Sequence, residues 1–389
     1  MKKVLIICPI YWPYPGGGSQ SFPLVAKALS NTYQVSVITE YHPRLPLASS
    51  SNNTKIYRIL PRRDTLGKKT LAKSAFSYVQ TYFQLYLVLL VSIVLGYQVF
   101  HITRYTSPAL WPILTIIKML RRRLVYDSRS SVYLDREYKQ LKASLHYYDL
   151  ILCNSLSSQA AVKACIPAQS QTRIRYIVNP LLLRSSNLVQ QTSTQIVPSQ
   201  PYLVAIGTIC ERKASKFLVY QYSLLYPKLD RLAKSASNTS SQIPSLIIAG
   251  RNDLGAHFID FLRDYPFVYY LGEVSHEESI SLLVNSLGSI NLSLSEGIPR
   301  TSLESLFYKT PAILPACVPE FVKLCPKTCF NLQLHHALNP YYACPSFQSL
   351  LKVLINNPSQ IIKYNSAYDI KSHSFKMFSS KLLNEYSSL

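Results

Sequence analysis

Short apolar runs alternate along this chain with stretches whose apolar residues recur at helical spacing. Lys3 to Cys8 is a near-continuous apolar run, the pattern of a parallel strand buried on both faces. The loop PIYWPYPGGGSQS separates it from Phe22 to Leu29, apolar at helical spacing, and VSVIT from Val35 to Thr39 predicts the next strand. Strand, loop, helix and strand in that order open a doubly wound α/β sheet. Pro43 to Thr54 reads as loop, and Val99 to Thr103, Leu124 to Asp127, Leu150 to Cys153 and Arg175 to Val178 read as further strands. The polar stretch from Ser185 to Gln200 has neither period and reads as a linker. The alternation then restarts, with strands at Tyr202 to Ile206, Ser245 to Ala249, Val268 to Leu271, Ile290 to Leu294 and Ala312 to Leu314. Helices are predicted at Lys216 to Leu229, Glu277 to Asn285 and Thr301 to Tyr308. The expected domains are 1–185, a linker 186–200, a second domain 201–370, and a C-terminal helix, 371–389, packing back on the first domain. Two doubly wound, Rossmann-like halves would face a central cleft at the carboxyl ends of their strands.

Charge changes this picture more than hydropathy does. Of 389 residues, 48% are apolar and 15% charged, enough apolar surface for two cores and too much for a disordered chain. The net charge of +22 is lopsided: from Met1 to Ser185, 24 Lys/Arg stand against 6 Asp/Glu. A field confined to one half attracts anionic partners to that half. Nucleic acid is not expected, because no nucleic-acid module is legible. An anionic membrane surface fits better, met by Arg58 to Lys73, the apolar helix that follows, and Lys118 to Arg123. That apolar run, Phe83 to Gly96, admits a buried helix, an interfacial helix or a span, and Gly96-Tyr97 reads as a break before a strand. The eight cysteines have no framework spacing, and no cleavage site follows the short apolar N-terminus, so a cytoplasmic location is expected, peripheral on the inner face of the membrane. Cys325 and Cys329 with adjacent His335 and His336 make a poor tetrahedral set, and no metal is expected.

The stretch NLSLSEGIPRTSLESLFYKTPAIL carries the chemistry. It puts Glu296 at the end of a predicted strand and Glu304 on the next helix, with seven residues between. Gly297 and Pro299 suit a tight loop, and Thr301 and Ser302 suit a helix N-terminus, whose free N–H groups make a seat for a diphosphate. A carboxylate one turn into that helix can accept hydrogen bonds from two vicinal sugar hydroxyls. Two glutamates at one spacing are equally compatible with a solvated helix residue and a cap.

SEGIPRTSLESLFYKTP resembles the Glu-x7-Glu segment of family 4 glycosyltransferases, which adopt the two-domain GT-B fold. PYPGGGSQSFPLVAKALS, YDLILCNSLSS, YIVNPL, VAIGTICERKASKFLVYQ, LIIAGRND and VYYLGEVSHEESISLLVNS are similar to further segments of that family in the same order. The resemblance implies a retaining transfer from a nucleotide-diphosphate sugar, without cofactor or metal, to a glycan or lipid-linked acceptor in cell-surface polysaccharide biosynthesis. It implies that Glu304 binds the donor ribose, Glu296 contacts the transferred sugar, and Arg212 and Lys213 meet the diphosphate. Gly16 and Gly17 would let the backbone approach that diphosphate, while Gly297, Ile298, Pro299, Arg300 and Thr301 would complete the donor site. Two departures stand out. Thr208 occupies a position where many members carry arginine, and Asp127 and Arg129 stand where a histidine is usual near the acceptor. A non-catalytic nucleotide-sugar-binding or scaffold subunit is therefore the alternative expectation.

Overall fold

The computed structural model describes the chain except for residues 14–16, 52, 62–70, 104, 106, 129–141, 168–169, 182–199, 236–242, 334 and 336–338. It divides into two units, Met1–Pro180 with Ser372–Leu389, and Leu181–Lys371.

The first unit runs β1 (Lys3–Ile7), α1 (Gly17–Leu29), β2 (Gln34–Glu40), β3 (Ala48–Ser51), β4 (Thr54–Leu60), α2 (Leu71–Val94), β5 (Val99–Ile102), α3 (Trp111–Met119), β6 (Arg123–Ser128), β7 (Leu150–Cys153), α4 (Leu156–Lys163) and β8 (Arg173–Tyr176). Its strand order is β3-β4-β2-β1-β5-β6-β7-β8, parallel except for β3 against β4. Successive residues of a strand point to opposite faces, so an unbroken apolar run feeds two cores. Leu5, Ile7, Phe100 and Ile102 meet Leu85 and Leu89 of α2 and Ile113 and Ile117 of α3. Val4, Ile6, Val35 and Val37 meet Phe22, Val25 and Leu29 of α1 on the other face. That second core is closed by α12 (Phe375–Ser387), whose Phe378, Leu382 and Tyr386 are buried in it. Fully burying three such side chains contributes roughly 5–8 kcal/mol.

Two expectations for the first unit change. The stretch from Pro43 to Thr54 contains β3, a serine strand that forms a hairpin with β4, and β4 itself carries part of the supposed basic surface. Thr54, Ile56, Arg58 and Leu60 alternate inward on β4, so Arg58 is buried and Lys55 is exposed. Arg58 Nη1 donates to Ser49 Oγ at 2.8 Å and to Pro46 O at 3.3 Å. Period 2 overrides the residue's charge because Ser49 of β3 and Pro46 just before that strand supply the acceptors. Of the rest of the basic stretch, 62–69 lies outside the described residues, and Lys73 falls in the first turn of α2. The apolar run beyond it forms the second half of α2, with Leu85 and Leu89 buried and Phe83, Leu87 and Val91 exposed. Among the described residues no helix is long and apolar enough to cross a membrane.

The second unit runs β9 (Tyr202–Ile206), α5 (Ser215–Ser235), β10 (Ser245–Ala249), α6 (Ala256–Leu262), β11 (Val268–Tyr270), α7 (His276–Val284), β12 (Gly288–Ile290), α8 (Arg300–Phe307), β13 (Ala312–Pro315), α9 (Pro319–Leu324), β14 (Cys329–Phe330), α10 (Pro345–Asn356) and α11 (Pro358–Asn365). Its six strands, all parallel, lie in the order β11-β10-β9-β12-β13-β14. Chain connections leave β9 and β12 in opposite directions, so the loops beyond their carboxyl ends part and leave a crevice. The same switch occurs between β1 and β5 in the first unit.

Candidate active site

The loops that part at the second unit's switch point carry most of the expected donor residues. After β9 the chain passes Gly207 and Thr208 and forms a 3-10 turn, Glu211–Lys213. After β12 it passes Asn291, Ser293 and Glu296 before α8 begins. Leu294 N–H donates to Arg212 O at 3.0 Å, which ties the two loops together. Arg212 Nη1 lies 2.5 Å from Glu296 Oε1, and Lys213 Nζ lies 2.7 Å from the same oxygen. Arg212 also donates to Ser295 O, and Lys213 to Asn291 Oδ1 at 3.4 Å.

Burial alone would raise the Glu296 carboxyl, but Lys213 and Arg212 outweigh it and hold it down at about 2. Glu296 is thus a fixed anion at any physiological pH, not a proton donor. The behaviour of Glu304 is opposite. It lies one turn inside α8, its side chain 5% exposed, and burial pushes its carboxyl up to about 7 against the opposing effect of Arg300. His276 Nε2 is 3.7 Å from Glu304 Oε1, close enough for an electrostatic interaction but too long for a direct hydrogen bond. Ser275 and Glu278 place His276 there. Ser275 Oγ accepts from Glu278 N–H at 3.2 Å, and Ser275 N–H donates to Glu278 Oε2 at 2.6 Å, a capping box that starts α7 at His276.

The N-terminus of α8 has no side-chain cap: its cap residue is Pro299. The first bond of the helix runs from Leu303 N–H to Pro299 O at 3.2 Å, so the amides of Arg300, Thr301 and Ser302 precede it. Thr301 and Ser302 therefore sit inside the first turn and not at the cap. Ser302 Oγ instead accepts from Asn291 Nδ2 at 3.0 Å, and Ser293 Oγ donates to Asn291 Oδ1 at 3.2 Å. Arg300 adds a cation whose Nη1 and Nη2 are both buried without a hydrogen-bond partner, and burial pulls its guanidinium below the usual value. Free amides, a helix dipole and an unsatisfied guanidinium together favour an anion.

The structure thus brings together Arg212, Lys213 and Glu296, and sets Arg300, Thr301 and Glu304 on the adjoining helix. Gly297, Ile298 and Pro299 form the turn between them, with Ile298 buried. Asn291, Ser293 and His276 were not singled out from sequence. The amide and hydroxyls of NLSLS, breaking an otherwise apolar run, were the available signal for the first two. Gly250, after β10, sets the height of the Arg212 loop. Its φ is +137°, and a Cβ there would sit 2.1 Å from Gly207 O. Gly250→Ala is expected to lower stability by about 2 kcal/mol or more, as overpacking against rigid backbone does, read by urea unfolding.

The first unit's expected residues are placed differently. Gly17 opens α1, while Gly16 and Arg129 lie outside the described residues. Asp127, at the carboxyl end of β6, is 2% exposed. Its Oδ2 lies 3.1 Å from His101 Nε2, and His101 Nδ1 lies 2.5 Å from Tyr386 OH. His101 is fully buried, which makes it a core residue that links two strands to α12.

No protein-family model matches the sequence, and no curated protein matches it; the likeness lies in three dimensions. A sucrose-phosphate synthase from Thermosynechococcus elongatus superposes with a TM-score of 0.71 at 14% identity, over 100% of this chain and 99% of that one. An α,α-trehalose-phosphate synthase (UDP-forming) from Burkholderia vietnamiensis gives 0.69 at 9% identity, over 100% of both chains. HepE from Anabaena, solved in complex with UDP-glucose, gives 0.63 at 15% identity, again over 100% of both. These neighbours are GT-B glycosyltransferases, and the chain has the GT-B fold.

Proposed function

We propose that the protein is a retaining glycosyltransferase that uses a nucleotide-diphosphate sugar, with the diphosphate against Arg212, Lys213 and the N-terminus of α8. The observation that carries this reading is the convergence of two cations, Arg212 and Lys213, on one fixed carboxylate, Glu296, beside an uncapped helix end whose first residue is the unsatisfied Arg300. The neighbours bound to UDP or UDP-glucose make a uridine donor the first to test. In the proposed reaction an acceptor hydroxyl adds to the anomeric carbon on the face from which the diphosphate leaves. The sugar–phosphate bond breaks, and the hydroxyl proton passes to a departing phosphate oxygen. Charge gathers on that diphosphate, so Arg212, Lys213 and the α8 amides act where the transition state needs them. Glu296 contacts the transferred sugar, and Glu304 accepts the ribose hydroxyls. The family resemblance assigns Gly16 and Gly17 to the donor and Asp127 and Arg129 to the acceptor.

The acceptor we infer is a glycan or a lipid-linked sugar in cell-surface polysaccharide assembly, met by a peripheral protein on the inner face of the cytoplasmic membrane. Support comes from the basic first unit and the exposed apolar side of α2. A thermal-shift screen against nucleotide sugars tests the donor half. A true donor at about 100 times its dissociation constant adds about 2.7 kcal/mol of stability, and UDP-glucose or UDP is expected to raise Tm by several degrees. No shift with any nucleotide or nucleotide sugar would remove the donor reading.

A further inference from the structure

Two helices of the first unit end side by side at the amino edge of its sheet. α2 leads into β5 and α3 into β6, these strands pair, and Arg123 N–H donates to Gln98 O at 2.9 Å. Both helices close by the same device. Tyr97 N–H bonds Ser92 O at 3.1 Å and Arg122 N–H bonds Ile117 O at 3.0 Å, and the residue just before each donor takes a positive φ. In α2 that residue is Gly96, at +80°; in α3 it is Arg121, at +54°. Glycine is the residue that this left-handed position favours, because a Cβ is strained there. α3 accepts the strain and sets an exposed cation at its tip, and among the described residues no acid pairs with Arg121.

The surroundings of Arg121 are apolar and open. Met119 is 76% exposed and Val94 86%, with Leu95 and Leu120 exposed beside them. From Val94 the exposed row continues along α2 through Val91, Leu87, Phe83 and Val79, one residue per turn, for about 22 Å. The opposite side of the helix, Tyr82, Leu85 and Leu89, is buried in the core. Cations gather at the lower end of this stripe. Lys3 Nζ donates to Leu95 O at 2.8 Å, and Lys118 and Arg123 lie 3.7 and 3.4 Å from Asp149. An apolar row rimmed at one end by Lys and Arg is the pattern of an interfacial helix on anionic lipid: apolar side chains enter the acyl boundary and cations meet phosphates.

We propose that the outer side of α2, closed at its end by Met119, Leu120 and Arg121, is the face by which the protein lies on an anionic bilayer. The proposal rests on the membrane reading above and is independent of the donor chemistry. The test is cosedimentation of the full chain with phosphatidylcholine vesicles, with and without about one-third phosphatidylglycerol, at low salt and at about 0.5 M salt. Binding to the anionic vesicles alone, lost in high salt, is expected. Arg121→Gly is expected to bind about five-fold more weakly. Its Tm should be unchanged or raised, since glycine suits the backbone there. Val94→Ser with Met119→Ser keeps every charge and is expected to weaken binding at least ten-fold. Wild-type protein that ignores anionic vesicles overturns the membrane reading and the docking face together. Wild-type binding that both variants retain overturns the docking face alone. A concentration-dependent dimer, abolished by the serine variant and unaccompanied by vesicle binding, reassigns the stripe to a second copy of the chain. UDP thermal shift in the same variants should match wild type; its absence in all of them counts against the donor reading only.

Discussion

Glu304→Ala is expected to cut sugar transfer by about 100-fold or more, and Lys213→Ala to do the same by a different route. The scale is that of losing one preorganised group that the transition state uses. Lys213 acts on the leaving diphosphate, so its loss should fall mainly on kcat. Glu304 acts on the ribose, so its loss should appear in donor affinity as well. The two carboxylates also differ in their pH signature. Glu304, raised to about 7, must ionise to accept two hydroxyls, so donor affinity is expected to rise between about pH 6 and 8, and Glu304→Gln should flatten that rise. Ionising it without a donor is unfavourable. The native carboxyl holds its proton longer than the unfolded one, so its contribution to stability falls as pH climbs from about 4.5 to 7. Glu296, held at about 2, has the reverse sign: its stabilisation is present above the unfolded value and is lost only in strong acid. Near-normal turnover in both alanine variants would sink the site assignment.

His101→Ala is expected to cost about 3–5 kcal/mol, because it removes one partner of a buried carboxylate and leaves a hole between two strands and α12. Urea unfolding of the purified variant measures it. Asp127→Asn separates the two readings of this cluster, since the amide keeps the shape and loses the charge. A folded Asp127→Asn protein that binds UDP but transfers no sugar would support an acceptor-side role. Lost stability with normal transfer per folded molecule would make Asp127 a core residue alone.

The architecture was largely legible because buried parallel strands are apolar on both faces and stand out as runs. KVLII, LILC and SLIIA are identified to within a residue. β3 and β4 were not, because ASSS carries no apolar period and TKIYRIL hides its inward arginine among residues that read as surface. The strand expected at Ile290 to Leu294 is in fact Gly288–Ile290, and the polar residues that follow already belong to the site loop. The sequence brings Glu296 and Glu304 into view as a pair seven residues apart, but not their opposite electrostatics. Those arise from Arg212 and Lys213, more than 80 positions away, reaching one carboxylate and leaving the other to burial. His101 with Asp127 was equally out of reach, because strand register and a helix 285 residues distant create that contact.

That distance has a consequence for how the protein is made. Phe378, Leu382 and Tyr386 belong to the core of a unit whose other residues leave the ribosome first. During synthesis the first sheet must wait, with one apolar face and the His101 imidazole uncovered, while the whole second unit is translated and folds. Only the last helix can seal it. Nascent chains stalled before residue 375 should therefore expose that face to chaperones and proteases even when the second unit is already complete.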